Sequence, residues 1–452
     1  MTQAYAARRA RLIAQMQARG GGIAIIPTAP EALRNNDADF PYRHDSTFYY
    51  LTGFTEPEAV LVLVANAAGG QSILFCREKN LEREIWDGYR HGPDAAREQF
   101  GLDAAHPVTA IDTEVPRLMA NASALFYALG SNAKLDAQMQ GWLQSVRAQA
   151  RAGVGAPSAA FDVNLLLDEM RLVKDAGEIA IMRRAALISS AAHERAMRMS
   201  KPGLHEYQIE AELLHEFRRN GSQFPAYTSI VATGANACVL HYRAGDAVLK
   251  DGDLVLIDAG CELDGYASDI TRTYPANGRF SPAQKDLYEI VLAAQTAAIA
   301  EIAPGKRFTD GHDAAVKVLA QGMLDTGLLD RSKVGTLDDV IAKSDFRQFY
   351  MHRTGHWLGM DVHDVGEYRD PGPVSAGQEK PWRTLQPGMA LTVEPGIYVR
   401  PAEGVPEKYW NIGIRIEDDA VVTAGGCDII TAEAPKTVAE IEAVMRDGVL
   451  RG

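Results

Sequence analysis

Up to Val173 the chain alternates short apolar runs with stretches of helical texture: "GGIAIIP" (21–27), "AVLVLVA" (59–65), "SILFC" (72–76) and "ALFYALG" (124–130). Apolar runs this short, separated by amphipathic segments, predict strands interleaved with helices. An α/β domain with a central sheet follows, spanning residues 1–173. The texture changes at Lys174-Asp175-Ala176-Gly177-Glu178, where an acid is followed three positions later by Glu, ahead of an Ala-, Ile- and Leu-rich stretch. That is a capping-box helix start, and a second domain, 174–452, is taken to begin there. It carries long amphipathic segments at 178–199, 206–220, 282–302 and 311–326, with short Val-, Ile- and Leu-rich strands between them, an α+β pattern. The Pro-rich segment 370–385 reads as a surface loop.

Acids stand where the apolar strands of this second domain end. In "DLVLIDAG" (253–260) Asp258 closes a buried run, and a lone buried carboxylate is costly, so it requires a partner. Asp264-Gly265 then signals a two-residue hairpin turn, and the returning strand "YASDITRTY" carries Asp269. With a two-residue turn, Asp258 faces Thr271 and lies diagonal to Asp269 on the same sheet face, roughly 7–8 Å away. Two carboxylates so placed repel unless a cation sits between them. Further on, "MALTVEPG" sets Glu394 at a strand end, kept extended by Pro395. "NIGIRIEDD" alternates, with Ile412, Ile414 and Ile416 on one face and Gly413, Arg415 and Glu417 on the other.

Three of the eleven histidines, His352, His356 and His363, crowd the apolar, Gly-rich stretch "FYMHRTGHWLGMDVHDVG". Taken singly, each acid reads equally well as a strand-end residue and each histidine as a core residue. Taken together, four carboxylates and one imidazole offer hard O and N ligands for two divalent ions, with no thiolate among them. Mn²⁺ is favoured by softness, and Co²⁺ or Zn²⁺ also fit. Two such ions ionise a water near neutral pH and stabilise a developing oxyanion, which predicts hydrolysis.

Composition narrows the class further. The 452 residues are 46% hydrophobic and 23% charged, as in folded globular chains. A formal net charge of −13 argues against nucleic acid or an anionic membrane as partner. The basic runs "ARRAR" (7–11) and "MRRA" (182–185) read as solvated helix faces. Cys76, Cys238, Cys261 and Cys427 form no CxxC pair, so neither a zinc ribbon nor a disulfide framework is indicated. With no signal-like segment and no aliphatic run near the roughly 18–20 residues of a membrane span, a cytoplasmic location is expected.

The strings "DGDLVLIDAG", "DITRTY", "HWLGMDVHD", "LTVEPG" and "GIRIEDD", in that order, with "YRHDSTFYYLTGFTEPEAVLVL" in the first domain, resemble the proline-specific metallopeptidases of pita-bread fold. The likeness is nearest to the aminopeptidases P and extends over nearly the whole chain. It implies a pita-bread catalytic domain that releases the N-terminal residue from peptides with proline in second place. It implies Asp258, Asp269, His356, Glu394 and Glu417 as metal ligands, Asp269 and Glu417 bridging, His356 and Glu394 on one ion, Asp258 on the other. A bridging hydroxide would attack the carbonyl before proline, with Glu394 taking the water's proton. By the same resemblance His352 and His363 stabilise the tetrahedral intermediate and help protonate the proline nitrogen, and His241 lines the substrate site. Arg415 is expected to orient Glu417, Tyr398 to support that outer layer, and Trp86 to reach an active site across a homodimer or homotetramer. The substrate chemistry agrees: the bond before proline is a tertiary amide without N–H, and resists ordinary peptidases. Prolidase, which cuts only Xaa-Pro dipeptides, shares the ligands and stays the alternative. Two features depart from the family pattern: Arg353, where an uncharged residue is expected, and the length of segment 370–385.

Overall fold

The computed structural model describes residues 2–375 and 377–449, and the chain divides into two compact units, Met1–Asp168 and Glu169–Gly452. In the first, a six-stranded mixed sheet runs in the order Ala104–Pro107, Gly69–Cys76, Val60–Asn66, Gly22–Pro27, Ala124–Phe126, Ala159–Phe161. The four apolar runs of the sequence are its inner strands. They read as continuous rather than alternating because helices cover the sheet and bury residues on both faces, as in the fully buried Ile23, Ala24 and Ile25.

One basic run is not a solvated face. Arg9 is 2% exposed, and its guanidinium donates to the carbonyls of Leu51 (2.9 Å), Phe100 (3.2 Å) and Gly101 (2.5 Å). These carbonyls close the helices Ser46–Thr52 and Gly92–Phe100, whose last acceptors lack intrahelical donors. A group with five N–H donors answers that need, and charge patterning alone does not reveal it. Arg183 and Arg184 do face solvent.

The second unit opens with the helix Ala176–Met199, whose capping box joins Asp175 and Glu178. It packs on Glu206–Arg219, while Pro282–Ala300 packs on Asp310–Asp325. Against these helices lie two antiparallel ladders. One pairs Leu254–Asp258 with Ile230–Thr233 and Thr271–Pro275; the other pairs Asp418–Val422 with Ala390–Val393 and Cys427–Ile429. Asp264 and Gly265 both take positive φ, 49° and 79°, as the two-residue hairpin turn requires, and Asp258 pairs with Thr271. The first ladder meets the strand Ile412–Arg415 and the residues that lead into Asp418–Val422, where Glu417 N donates to Thr271 O (3.0 Å) and Thr273 Oγ1 to Arg415 O (3.0 Å).

Segment 370–385 is a surface loop only over its first part. Arg383 and Leu385 are buried, 4% and 2% exposed, and Arg383 forms a two-point pair with Glu169 at 2.9 and 2.7 Å. Among the described residues no helix is long and apolar enough to cross a membrane.

Candidate metal centre

The hairpin register puts Asp258 and Asp269 on one face, and Tyr227 spans them: its hydroxyl lies 2.6 Å from Asp258 Oδ1 and 2.5 Å from Asp269 Oδ1. Burial, followed by the charges of Asp258 and Asp269, raises the phenol pKa well above its ordinary value, so it remains a donor. The loop 354–356 then joins the edge of strand Ala390–Val393. Glu394 N donates to Thr354 O (2.8 Å), Thr392 N to His356 O (3.0 Å) and His356 N to Thr392 Oγ1 (3.1 Å). This pairing sets His356 beside Glu394. It demands Gly355, because a Cβ there would lie 2.1 Å from Thr392 O.

His356 Nε2 consequently sits 3.5 Å from Asp269 Oδ2 and 3.8 Å from Glu394 Oε1. Asp269, His356 and Glu417 each present a ligand atom within 4.8 Å of the others. All five candidate ligands line one cavity of about 790 Å³, together with His241, His352, His363 and Arg415. Tyr398 stands behind them, 1% exposed. Trp86 belongs to the other unit, on the short helix Leu81–Asp87, and is 83% exposed, so it is no core aromatic.

The electrostatics are those of a crowded acid cluster. Burial, then the charges of Asp269 and Glu394, raises the Glu417 carboxyl well above its ordinary range. Burial lifts Glu394 to about 7 against the pull of His356 and Arg415, and burial also raises Asp269. His356 is lowered by burial, but its bond to Asp269 and the charge of Glu394 prevail and hold it at about 9. Buried acids that cannot all ionise beside one imidazole are a donor set suited to divalent cations.

The second layer differs in one respect from the expectation. Arg415 does not bond Glu417. Its Nη2 pairs with Asp258 Oδ2 at 2.5 Å, its Nη1 donates to Tyr398 OH (2.9 Å), and its Nε donates to Thr271 Oγ1 (3.0 Å). Thr271 Oγ1 in turn donates to Glu417 Oε2 at 2.6 Å, so Arg415 reaches Glu417 only through Thr271. Alternation places Arg415 and Glu417 on one face but cannot say which neighbour across the ladder the guanidinium meets.

Two of the histidines are fixed by their surroundings. His352 Nδ1 donates to Arg353 O (2.7 Å), which leaves Nε2 to accept from Tyr398 OH at 2.8 Å. His363 stacks on His356 with ring centroids 3.7 Å apart. Its neighbour Asp364 anchors the turn, accepting from Arg171 at 2.6 Å and Lys174 at 2.8 Å. Burial lowers both imidazoles, His352 to about 3 and His363 to about 4.

Residues 180–424 match Metallopeptidase family M24, and residues 5–127 match Aminopeptidase P, N-terminal domain. The chain belongs to family M24. Within M24 it is similar to the Xaa-Pro aminopeptidase of Escherichia coli K12, 44% identical over 98% of this chain and 97% of that one. The Haemophilus influenzae Xaa-Pro aminopeptidase is 42% identical over 97% and 96%. Among solved M24 structures, Pseudomonas aeruginosa aminopeptidase PepP superposes with a TM-score of 0.95 at 52% identity, covering 100% of this chain and 99% of that one. These likenesses place the second unit in the pita-bread fold.

Sequence reasoning missed three residues of this M24 site. Tyr227 comes from a loop, "PAYTS", that carries no periodic or metal-ligand signal. Thr271 was visible as the partner of Asp258 but not as a link to Glu417. Glu206, buried at the start of its helix, accepts from Thr233 N (2.8 Å), Asn236 Nδ2 (3.0 Å), Tyr242 OH (2.9 Å) and Gly245 N (3.1 Å). It therefore ties down the segment that carries His241. Its only sequence signal is an acid at a helix start, which is commonplace.

Proposed function

We propose that this M24 chain is a metal-dependent aminopeptidase that releases the N-terminal residue from peptides with proline in second place, in the cytoplasm, as a homodimer or homotetramer. The observation that carries the proposal is the meeting of Asp258, Asp269, His356, Glu394 and Glu417 in one cavity walled by histidines. Those five would hold two divalent ions, Mn²⁺ in the first place. Such ions ionise water near neutral pH and polarise a carbonyl.

The chain's own residues do the rest. Asp269 and Glu417, the most deeply buried acids of the cluster at 4% and 2% exposure, would hold the cations farthest from bulk water. Tyr227 and Arg415 fix the two oxygens of Asp258, an outer layer that orients a ligand. Glu394 is placed to take the proton of an attacking water. His241 and His363 face the cavity and can hydrogen-bond peptide carbonyls. His352 spends its N–H on Arg353 O, so it serves as a wall of the proline slot, and protonation of the leaving nitrogen is assigned to His363 or to Glu394 returning its proton. Trp86, exposed on its helix, is available to a neighbouring subunit's substrate.

The deciding experiment follows hydrolysis of Xaa-Pro dipeptides and Xaa-Pro-Xaa tripeptides by protein stripped with a chelator and reloaded with Mn²⁺. Release of the first residue from the tripeptide, only after reloading, is expected. Cleavage of dipeptides alone would make the chain a prolidase, and no cleavage with or without metal would end the enzymatic reading.

A further inference from the structure

The cavity carries charge of both signs. Opposite in charge to the four acids, three arginines, Arg243, Arg353 and Arg369, also line it, along with Trp382. The guanidinium carbons of Arg353 and Arg369 lie 4.8 and 3.8 Å from the centroid of the Trp382 ring. One indole thus meets two cations, an arrangement that its π system favours but their mutual repulsion opposes. Among the described residues no ion pair within 4.0 Å joins Arg243 or Arg353 to a carboxylate. Arg369 donates one N–H to Lys380 O (2.8 Å), and the carboxylate it meets, Glu379 at 3.7 Å, is on a side chain 91% exposed, a contact worth little. Guanidiniums that face a cavity without a buried carboxylate partner are open to a ligand carboxylate, for which their planar donor fork is suited.

Resting on the aminopeptidase reading above, we propose that Arg353 and Arg369 form a carboxylate-binding rim that selects peptides carrying a negative charge one or two residues beyond the proline. Arg353 directly follows His352, which the aminopeptidase reading makes a wall of the proline slot, so Arg353 and its neighbour Arg369 lie nearest the residues that follow the proline. A chain end or an acidic side chain just past the proline is therefore the group that these guanidiniums would meet. Two sources supply the same chemistry: the C-terminal carboxylate of a tripeptide or tetrapeptide, and an Asp or Glu side chain in a longer one.

The test uses full-length, Mn²⁺-loaded protein and two substrate pairs: Ala-Pro-Ala against its C-terminal amide, and Ala-Pro-Glu-amide against Ala-Pro-Gln-amide. In each pair the charged member should have a kcat/KM roughly tenfold higher, chiefly through KM, with the advantage shrinking as salt is raised. In Arg353→Gln/Arg369→Gln the ratio should fall toward one. Because the ratio compares two substrates on the same variant, it does not depend on how much of that variant is active. A response in the first pair alone assigns the rim to chain termini, and in the second alone to acidic side chains; either supports the rim. Ratios near one in the unaltered protein, or ratios that survive both substitutions, would overturn it while leaving the aminopeptidase reading intact. Failure to cleave any of the four substrates would instead overturn that reading.

Discussion

The proposed function would have Glu394 do two things, hold a cation and accept a proton, and its surroundings suit both. It sits at a strand end, fixed by its backbone bond to Thr354 and raised to about 7 mainly by burial. Glu394→Gln keeps the shape and removes the charge, so the variant should fold normally while kcat falls by roughly 10²–10⁴ or more. Steady-state kinetics beside a melting curve checks this, and a variant keeping most of its rate would remove Glu394 from the chemistry. His363 offers a contrast. It stacks on His356 but remains largely open to the cavity, so His363→Ala should cut turnover far more than it lowers the melting temperature. A collapse in stability with little kinetic change would return His363 to an ordinary packing role. Both residues were visible in the sequence because each stands next to an apolar run. Tyr227 was not, since its importance comes only from which carboxylates its hydroxyl reaches.

Whole elements are held to the site by single buried groups. The best case is Glu206, whose carboxylate gathers four donors spread over residues 233–245 and so fixes the loop bearing His241. In Glu206→Gln the amide nitrogen must face one or more of those donors, at a cost of about 1–3 kcal/mol. If that loop positions His241, Glu206→Gln should raise KM more than it lowers kcat, and should add little further in a His241→Ala background. Full additivity of the two changes would show Glu206 to be merely structural. The hairpin through Asp264 and Gly265 lies at the other extreme of legibility. Two residues suited to positive φ dictate the turn, the turn dictates the register, and the register puts Asp258 and Asp269 on one face. The helix start at Asp175 was readable for the same reason, since a capping box is a contact between residues three apart.

At the scale of the molecule, the acid cluster and the buried histidines make stability depend on solution conditions. His193, fully buried, donates through Nε2 to Ala259 O at 2.9 Å, and burial lowers its pKa to about 4. Below about pH 6.5 the unfolded chain takes up a proton that the folded chain refuses until about 4. The stability His193 contributes is therefore fully present above pH 6.5 and lost as pH falls through that window. His193→Gln keeps a donor for Ala259 O, so the unaltered protein should lose up to about 3 kcal/mol relative to this variant between pH 6.5 and 4. Urea melts of both proteins across that range read the difference, and parallel pH profiles would contradict it.

What the sequence determined by itself was everything written in nearby residues. The strands, the helix starts, the hairpin register and the order of the acids and histidines all follow from periodicity and turn chemistry over a dozen residues or fewer. The tertiary structure alone decided which distant groups meet: Arg415 on Asp258 rather than Glu417, Arg9 in the ends of two helices, Glu206 beneath the His241 loop, and two arginines across one indole. The physical reason is that a hydrogen bond or a cation–π contact is specified by positions within a few ångströms. Chain segments 13 to 157 residues apart are brought that close only by the packing of the whole fold.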